Sequence, residues 1–223
     1  MQGLARIDQY ATIVFDCDGV LLDSNGIKSN AFYNSVLPYG LQAAQAMLDF
    51  HKCNGGISRY KKYEHFFENI IKREIDDECV KNLLAVYSEE VRKGLLTCEV
   101  STAIEKLKRQ TPTSRWLIVS GSDQTELRSV LKLRQLSRYF DGGIYGSPDS
   151  KDAILTREIE NKNIVFPALF IGDSKYDYEA SNRAGLDFVF VSGWSEFSGW
   201  DLYKKEKGFP SVCKLEQLLI AEC

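Results

Sequence analysis

The sequence lacks an excess of charge of either sign: 28 basic residues stand against 31 acidic ones, a formal net charge of -3. That balance excludes the electrostatic footprint of a general nucleic-acid binder and leaves only a local basic site open. No run approaches the ~20 apolar residues needed to cross a bilayer. The opening MQGLARIDQYATIVF does not join a basic start to an apolar stretch of signal length. The expectation is a soluble, cytoplasmic protein, monomer or homodimer, with neither nucleic acid nor membrane as partner. The six cysteines are scattered, with no close pair spaced for zinc. A chain of 223 residues needs no disulfide staples, so reduced thiols are the simpler reading. Histidine is scarce too. His51 and His65 lack the i, i+4 spacing of a helical zinc pair and read as packing or surface residues. There is no internal repeat and no low-complexity tract.

What is present is an ordinary globular composition, 44% hydrophobic, 12% aromatic and 26% charged, which excludes general disorder. Short apolar runs at 11–15, 116–119, 168–171 and 188–191 fit buried parallel strands, with a weaker one at 143–145. Helical patterns at 100–109, 124–133, 151–161 and 176–184 separate them. That alternation implies βαβ units around a parallel sheet. The interval 25–97 differs, because it is helical in pattern throughout. Val80, Leu83, Leu84, Tyr87 and Val91 recur at helix spacing there, as do Phe66, Phe67, Ile70 and Ile71. The fold class expected is therefore α/β: a Rossmann-like three-layer core formed by 1–24 and 98–223, with an α-helical cap domain inserted at 25–97.

Three strong strands end in polar residues: Asp16-Cys17-Asp18, Ser120-Gly121-Ser122 and Gly172-Asp173-Ser174. Ligands of open parallel sheets bind at such carboxyl ends, so these clusters converge on one place. In extended backbone, Asp16 and Asp18 share a face, and two carboxylates held together repel unless a cation or proton intervenes. The pair suits a nucleophile and a general acid/base. Gly19 lets the chain turn at once. Cys17 faces the opposite way and is assigned to packing. Asp173 and Asp177 form a second acidic pair, and with Asp16 they suit a hard cation such as Mg²⁺.

FDCDGVLLDS, VSGS, a downstream lysine and GDSKYDYEASNRAG resemble the four ordered motifs of the haloacid dehalogenase superfamily. They lie at 15–24, 117–121, about 147–151 and 171–185, and the helical insertion falls where type-one caps occur. The chain is similar to the branch that contains beta-phosphoglucomutase and phosphoglycolate phosphatase. The resemblance implies that Asp16 is the nucleophile forming an aspartyl-phosphate and Asp18 the general acid/base. It further implies that Mg²⁺ is held by Asp16, the Asp18 carbonyl and Asp173, with Asp177 reaching it only through a ligand or a water. Ser120 and the amide that follows would bind phosphoryl oxygens, with Gly19, Gly121 and Ser122 around them. Lys151 would neutralise charge beside the nucleophile, although Ser147 occupies the slot where many capped relatives carry their lysine. Asp18 favours phosphoryl transfer over carbon–halogen cleavage, because an alcohol must be protonated as it leaves.

The cap segment Gly55-Gly56-Ile57-Ser58-Arg59 is the expected specificity element. Paired glycines permit close approach, Ser58 can cap a helix, and by resemblance Arg59 would bind a distal carboxylate or second phosphate. The alternative is a solvated helix start with Arg59, Lys61 and Lys62 facing water. Lys28 stands where the mutase has a histidine, and reads as a substrate contact or a linker residue. The Trp194–Trp200 stretch shapes the mouth of the site or marks a dimer contact. The function expected is a Mg²⁺-dependent phosphatase acting on a small phosphorylated metabolite, with a sugar phosphate favoured. A hexose phosphomutase is the alternative, and a non-catalytic binding protein on the same fold is a third.

Overall fold

The computed structural model describes residues 6–220. All four residues of β1 (Thr12–Phe15) are buried, as an apolar run must be when both faces of its sheet are covered. The other strands are β2 (Arg115–Asp123), β3 (Gly143–Ser147), β4 (Ala168–Gly172), β5 (Asp187–Val191) and β6 (Ser211–Val212). They pair in the order β3-β2-β1-β4-β5-β6, every pair parallel. Side chains alternate across this sheet. Ile13, Phe15, Trp116, Ile118, Leu169 and Ile171 enter one apolar cluster, while Val14, Leu117, Val119 and Phe170 enter another on the opposite face. The result is a three-layer α/β core of Rossmann type.

Between β1 and β2 the chain forms α1 (Asn25–Val36), α2 (Leu41–Cys53), α3 (Arg59–His65) and α4 (Asp77–Thr97), with a π-helical turn at Phe66–Ile70. These helices pack around Phe32, whose ring centroid lies 4.3 Å from that of Tyr87 and 4.6 Å from that of His51, and their apolar residues are continuous with the cluster on one face of the sheet. α5 (Ile104–Gln110) leads into β2, and after β2 come α6 (Gln124–Leu133), α7 (Lys151–Glu160), α8 (Lys175–Arg183) and α9 (Trp200–Lys207) in chain order.

Three local differences from the sequence reading have physical causes. The helix expected from residue 100 starts only at Ile104, because Val100 makes an antiparallel bridge to Leu22. Strand β2 runs on past the expected 116–119 through Ser120, Gly121 and Ser122 to Asp123, with a register irregularity against β3. The edge strand β6 is two residues long and carries no periodic signal to read. Cys17, Cys53, Cys79, Cys98 and Cys213 are free, and Cys223 lies outside the described residues. Among the described residues no helix is long and apolar enough to cross a membrane.

Candidate active site

Because β1 is central, β2 and β4 flank it, and Phe15 stands in register with Ile118 and Ile171. One residue further on β1 and two residues further on β2 and β4, the three strands deliver Asp16, Ser120 and Asp173 to the same end of the sheet, all three buried and all three lining one cavity. The chain turns away immediately after Asp18. Gly19 has φ +75°, and a Cβ there would stand 2.1 Å from Asp173 Oδ2, so the turn and the close approach both require glycine.

Asp16, Asp173 and Asp177 form a buried cluster whose carboxylate oxygens lie within 4.8 Å of one another. Burial pushes Asp16 up to about 7; the Lys151 ammonium opposes this, and Asp177 and Asp18 reinforce it. Asp173 is raised well above its ordinary value, first by burial and then by the repulsion of Asp16 and Asp177. Asp16 Oδ1 is buried without a well-aligned hydrogen bond, although Lys151 Nζ lies 2.9 Å away. Three buried carboxylates that repel one another, with Lys151 as the ammonium between two of them, are what a hard divalent cation relieves, so this donor set fits Mg²⁺.

Lys151, at the first turn of α7 behind the Ser150 cap, is fully enclosed between Asp16 and Asp177. Burial alone would lower its proton affinity, but the two carboxylates raise it above the ordinary lysine value. Asp177 is fully engaged. One oxygen pairs with Lys151, and the other accepts from the Asp173 amide at 3.2 Å, the Ser174 amide at 3.0 Å and the Ser174 hydroxyl at 2.7 Å. It therefore aligns Lys151 and closes the α8 capping box, within reach of the cluster but already occupied by protein donors.

The Asp18 side chain lies outside the acidic cluster. Lys28, from α1, pairs with one of its oxygens and also donates to the Ser122 hydroxyl. Ser122 donates to Asp18 at 2.7 Å and Ser24 at 2.6 Å, while Ser120 Oγ stands at 3.5 Å. Burial would raise Asp18, but the Lys28 charge and these donors overcome it and hold the carboxyl at about 2. The two aspartates of one motif thus occupy opposite electrostatic environments.

The cap loop sits directly on this chemistry. A Cβ on Gly121 would meet the Gly56 carbonyl oxygen at 2.2 Å, so the two backbones touch across the cavity. Gly55 and Ile57 also line it. Ser58 does not line it; its hydroxyl accepts from the Lys61 amide at 3.4 Å and caps α3.

Arg59, read from the sequence as the contact for a distal anion, lines the cavity with its guanidinium already engaged by protein groups. Its guanidinium makes a two-pronged pair with Glu126 of α6, donates to Ser88 at 2.8 Å and covers the Tyr87 ring. Only its Nε is left buried without a partner. The surface reading of α3 also fails for Lys62, which is buried, lines the cavity and meets His51 at 2.6 Å. Helical spacing carried this signal, because Lys62 lies three residues from Arg59 and shares its face.

The sequence reading also missed Asn25 and Glu196. Asn25 Nδ2 donates to Asp173 at 2.6 Å and to the Trp194 carbonyl at 2.8 Å. Ser195 donates to the Asp173 carbonyl, and Glu196 accepts from Ser29 and pairs with Lys52 at 3.7 Å. The Trp194–Trp200 stretch therefore buttresses Asp173 and joins core to cap. Trp200 itself stacks on Phe190 at 5.3 Å, as part of the core.

Comparison with curated proteins finds no significant match. Among solved structures, a haloacid dehalogenase-like hydrolase from Bacteroides fragilis superposes with a TM-score of 0.70 at 21% identity, over 94% of this chain and 100% of its own. A predicted phosphatase from Clostridium acetobutylicum gives a TM-score of 0.70 at 19% identity, over 94% and 96%. A predicted phosphoglycolate phosphatase from Haemophilus somnus gives 0.65 at 17% identity, over 85% and 87%. At these identities the likeness is one of fold. The haloacid dehalogenase-like hydrolase family, however, matches the sequence itself across residues 13–191, from β1 to the end of β5, and the chain belongs to that family.

Proposed function

We propose that this hydrolase is a Mg²⁺-dependent phosphatase that cleaves small phosphate esters through a phosphoryl group carried on Asp16. The observation that supports it most is the division of labour within one motif. Asp16 stands against Lys151 in a cation-seeking cluster, and Asp18 is held apart by Lys28 on the same cavity.

In this reading an Asp16 oxygen attacks phosphorus, the bond from phosphorus to the ester oxygen breaks, and an aspartyl-phosphate forms. The leaving oxygen takes a proton from the Asp18–Lys28 pair. A phosphoryl dianion arriving beside Asp18 raises that carboxyl's proton affinity, so an acid that is ionised in the empty site can load a proton. In the second half Asp18 accepts a proton from water, the water oxygen bonds to phosphorus, and the bond to Asp16 breaks. Lys151 and the Ser120 hydroxyl face the charge that spreads over the transferring oxygens. Mg²⁺, held by Asp16, Asp173 and the Asp18 carbonyl, would neutralise phosphoryl charge when bound.

The cavity is lined from both the strand ends and the cap helices, so a small ester enclosed between them suits it. The test is phosphate release from a panel of esters with Mg²⁺ or EDTA. Release that EDTA abolishes supports the reading. Interconversion of sugar-phosphate isomers without release would replace it by the phosphomutase.

Metal removal has a pH signature. Asp16 rises from 3.8 to about 7 on folding, so its stabilising contribution is complete below about pH 4 and is lost as pH climbs through about 7. Asp173 acts in the same direction. In EDTA the melting temperature should therefore fall between about pH 5 and 8 from this source. Mg²⁺ at a hundred times its Kd should raise it by about 5–10 °C at pH 8 and by less at pH 5. Thermal melts in paired buffers decide this, and equal melting temperatures at pH 8 count against the metal site.

The Arg59–Glu126 pair also makes an expectation. Glu126→Gln should loosen cap closure and raise KM about tenfold for every phosphate ester alike, the effect of ~1.4 kcal/mol. A loss confined to esters with a second anion would make Arg59 itself the substrate contact.

A further inference from the structure

The phosphoryl chemistry leaves one buried cation without a task. Lys62 is 2% exposed, its Nζ lies 2.6 Å from His51 Nδ1, and it stands 5.3 Å from the centre of the Phe32 ring. Among the described residues its polar partner is this imidazole, which carries no counter-charge. The charged groups around it are already committed. Asp18 is paired with Lys28, Glu196 with Ser29 and Lys52, and Lys28 and Lys151 repel it.

Burial and the neighbouring ammonium of Lys28 accordingly push Lys62 down to about 7, and burial with Lys62 itself drives His51 well below its ordinary value. A buried amine facing a ligand cavity, without an anion and beside a second cation, is a site that an incoming anion completes. Arg59 cannot substitute, because Glu126 already holds its fork.

We propose that Lys62, positioned by His51, receives a second anionic group at the non-reacting end of the substrate, a carboxylate or a second phosphate. The proposal rests on the phosphatase reading of the same cavity. The chain's own specificity element would then be the inner face of α3 and the end of α2, not the Arg59 fork.

The experiment compares three short alkyl phosphates of equal length, one ending in a neutral hydroxyl, one in a carboxylate and one in a second phosphate. In the unaltered protein, kcat/KM for one anionic ester should exceed that for the neutral ester by about 10- to 100-fold, and the preferred arm identifies which anion is used. Lys62→Met should collapse that ratio through KM, and Lys62→Arg should retain part of it. His51→Phe should lower the ratio in the same direction and His51→Gln, which keeps an acceptor, should lower it less. Hydrolysis of all three esters at similar kcat/KM overturns the subsite even if no variant folds. Equal losses on neutral and anionic esters in Lys62→Met overturn it too, by making Lys62 merely structural. No hydrolysis of any ester overturns the phosphatase reading, and this proposal with it.

Discussion

Asp16→Asn should abolish turnover while making the metal-free protein more stable. The loss in kcat is expected at about 10⁴-fold or more, because the substituted amide cannot form the covalent intermediate. The gain in stability follows from the electrostatics. Folding raises Asp16 to about 7 against 3.8, so at pH 8 the folded state pays to keep this carboxylate ionised beside Asp173 and Asp177. A neutral amide of the same shape removes that repulsion. In EDTA the melting temperature of Asp16→Asn should exceed that of the unaltered protein at pH 8, and the difference should shrink toward pH 5. A variant that is inactive and also less stable at pH 8 would mean that the cluster is not under the strain described.

Asp18→Asn, two residues away, should move stability the other way. Asp18 is held at about 2 by Lys28 and by the Ser24 and Ser122 hydroxyls, which overcome the cost of its burial, so its ionised form stabilises the fold at neutral pH. Neutralising it leaves Lys28 buried without a counter-charge, at a cost of about 3 kcal/mol, or about 6–12 °C in melting temperature. Lys28→Met on top of Asp18→Asn should recover part of that loss, as a double-mutant cycle would show. Activity should fall by about 10²- to 10⁴-fold for alkyl esters, whose oxygen needs a proton to leave, and by much less for aryl esters with good leaving groups. Equal losses on both ester types would remove the acid role from Asp18.

The opposite signs expected of these two substitutions come from Lys151, Lys28 and the strand ends, and only part of that was legible in the sequence. The apolar run before Asp16 and the βα alternation were enough to place a parallel sheet, because buried parallel strands need uninterrupted apolar segments. Asp16, Ser120 and Asp173 were legible as a site for the same reason: three strand ends on one sheet must meet. Pairings between distant segments were not legible. Arg59 and Glu126 are 67 residues apart, and nothing local marks one as the other's partner. The sequence reading of Arg59 as an anion contact therefore carried no sign of its Glu126 partner. Lys62 was hidden by composition, since a lysine in a run of charged residues is ordinarily solvated. Its burial depends on His51 and Phe32 arriving from α2 and α1. The Trp194–Trp200 stretch was visible as unusual, but its bonds to Asn25 and Asp173 required the fold.

Whether Asp16 carries the phosphoryl group can be read by trapping the covalent intermediate. The protein is mixed with Mg²⁺ and a short alkyl phosphate labelled at phosphorus, quenched in acid within the first turnover, and digested. Label is expected on the peptide containing Asp16, stable to acid, released by hydroxylamine as an acyl phosphate must be, and absent from Asp16→Asn. Steady release of labelled phosphate with no labelled peptide at any quench time, or label on a residue other than Asp16, would contradict it.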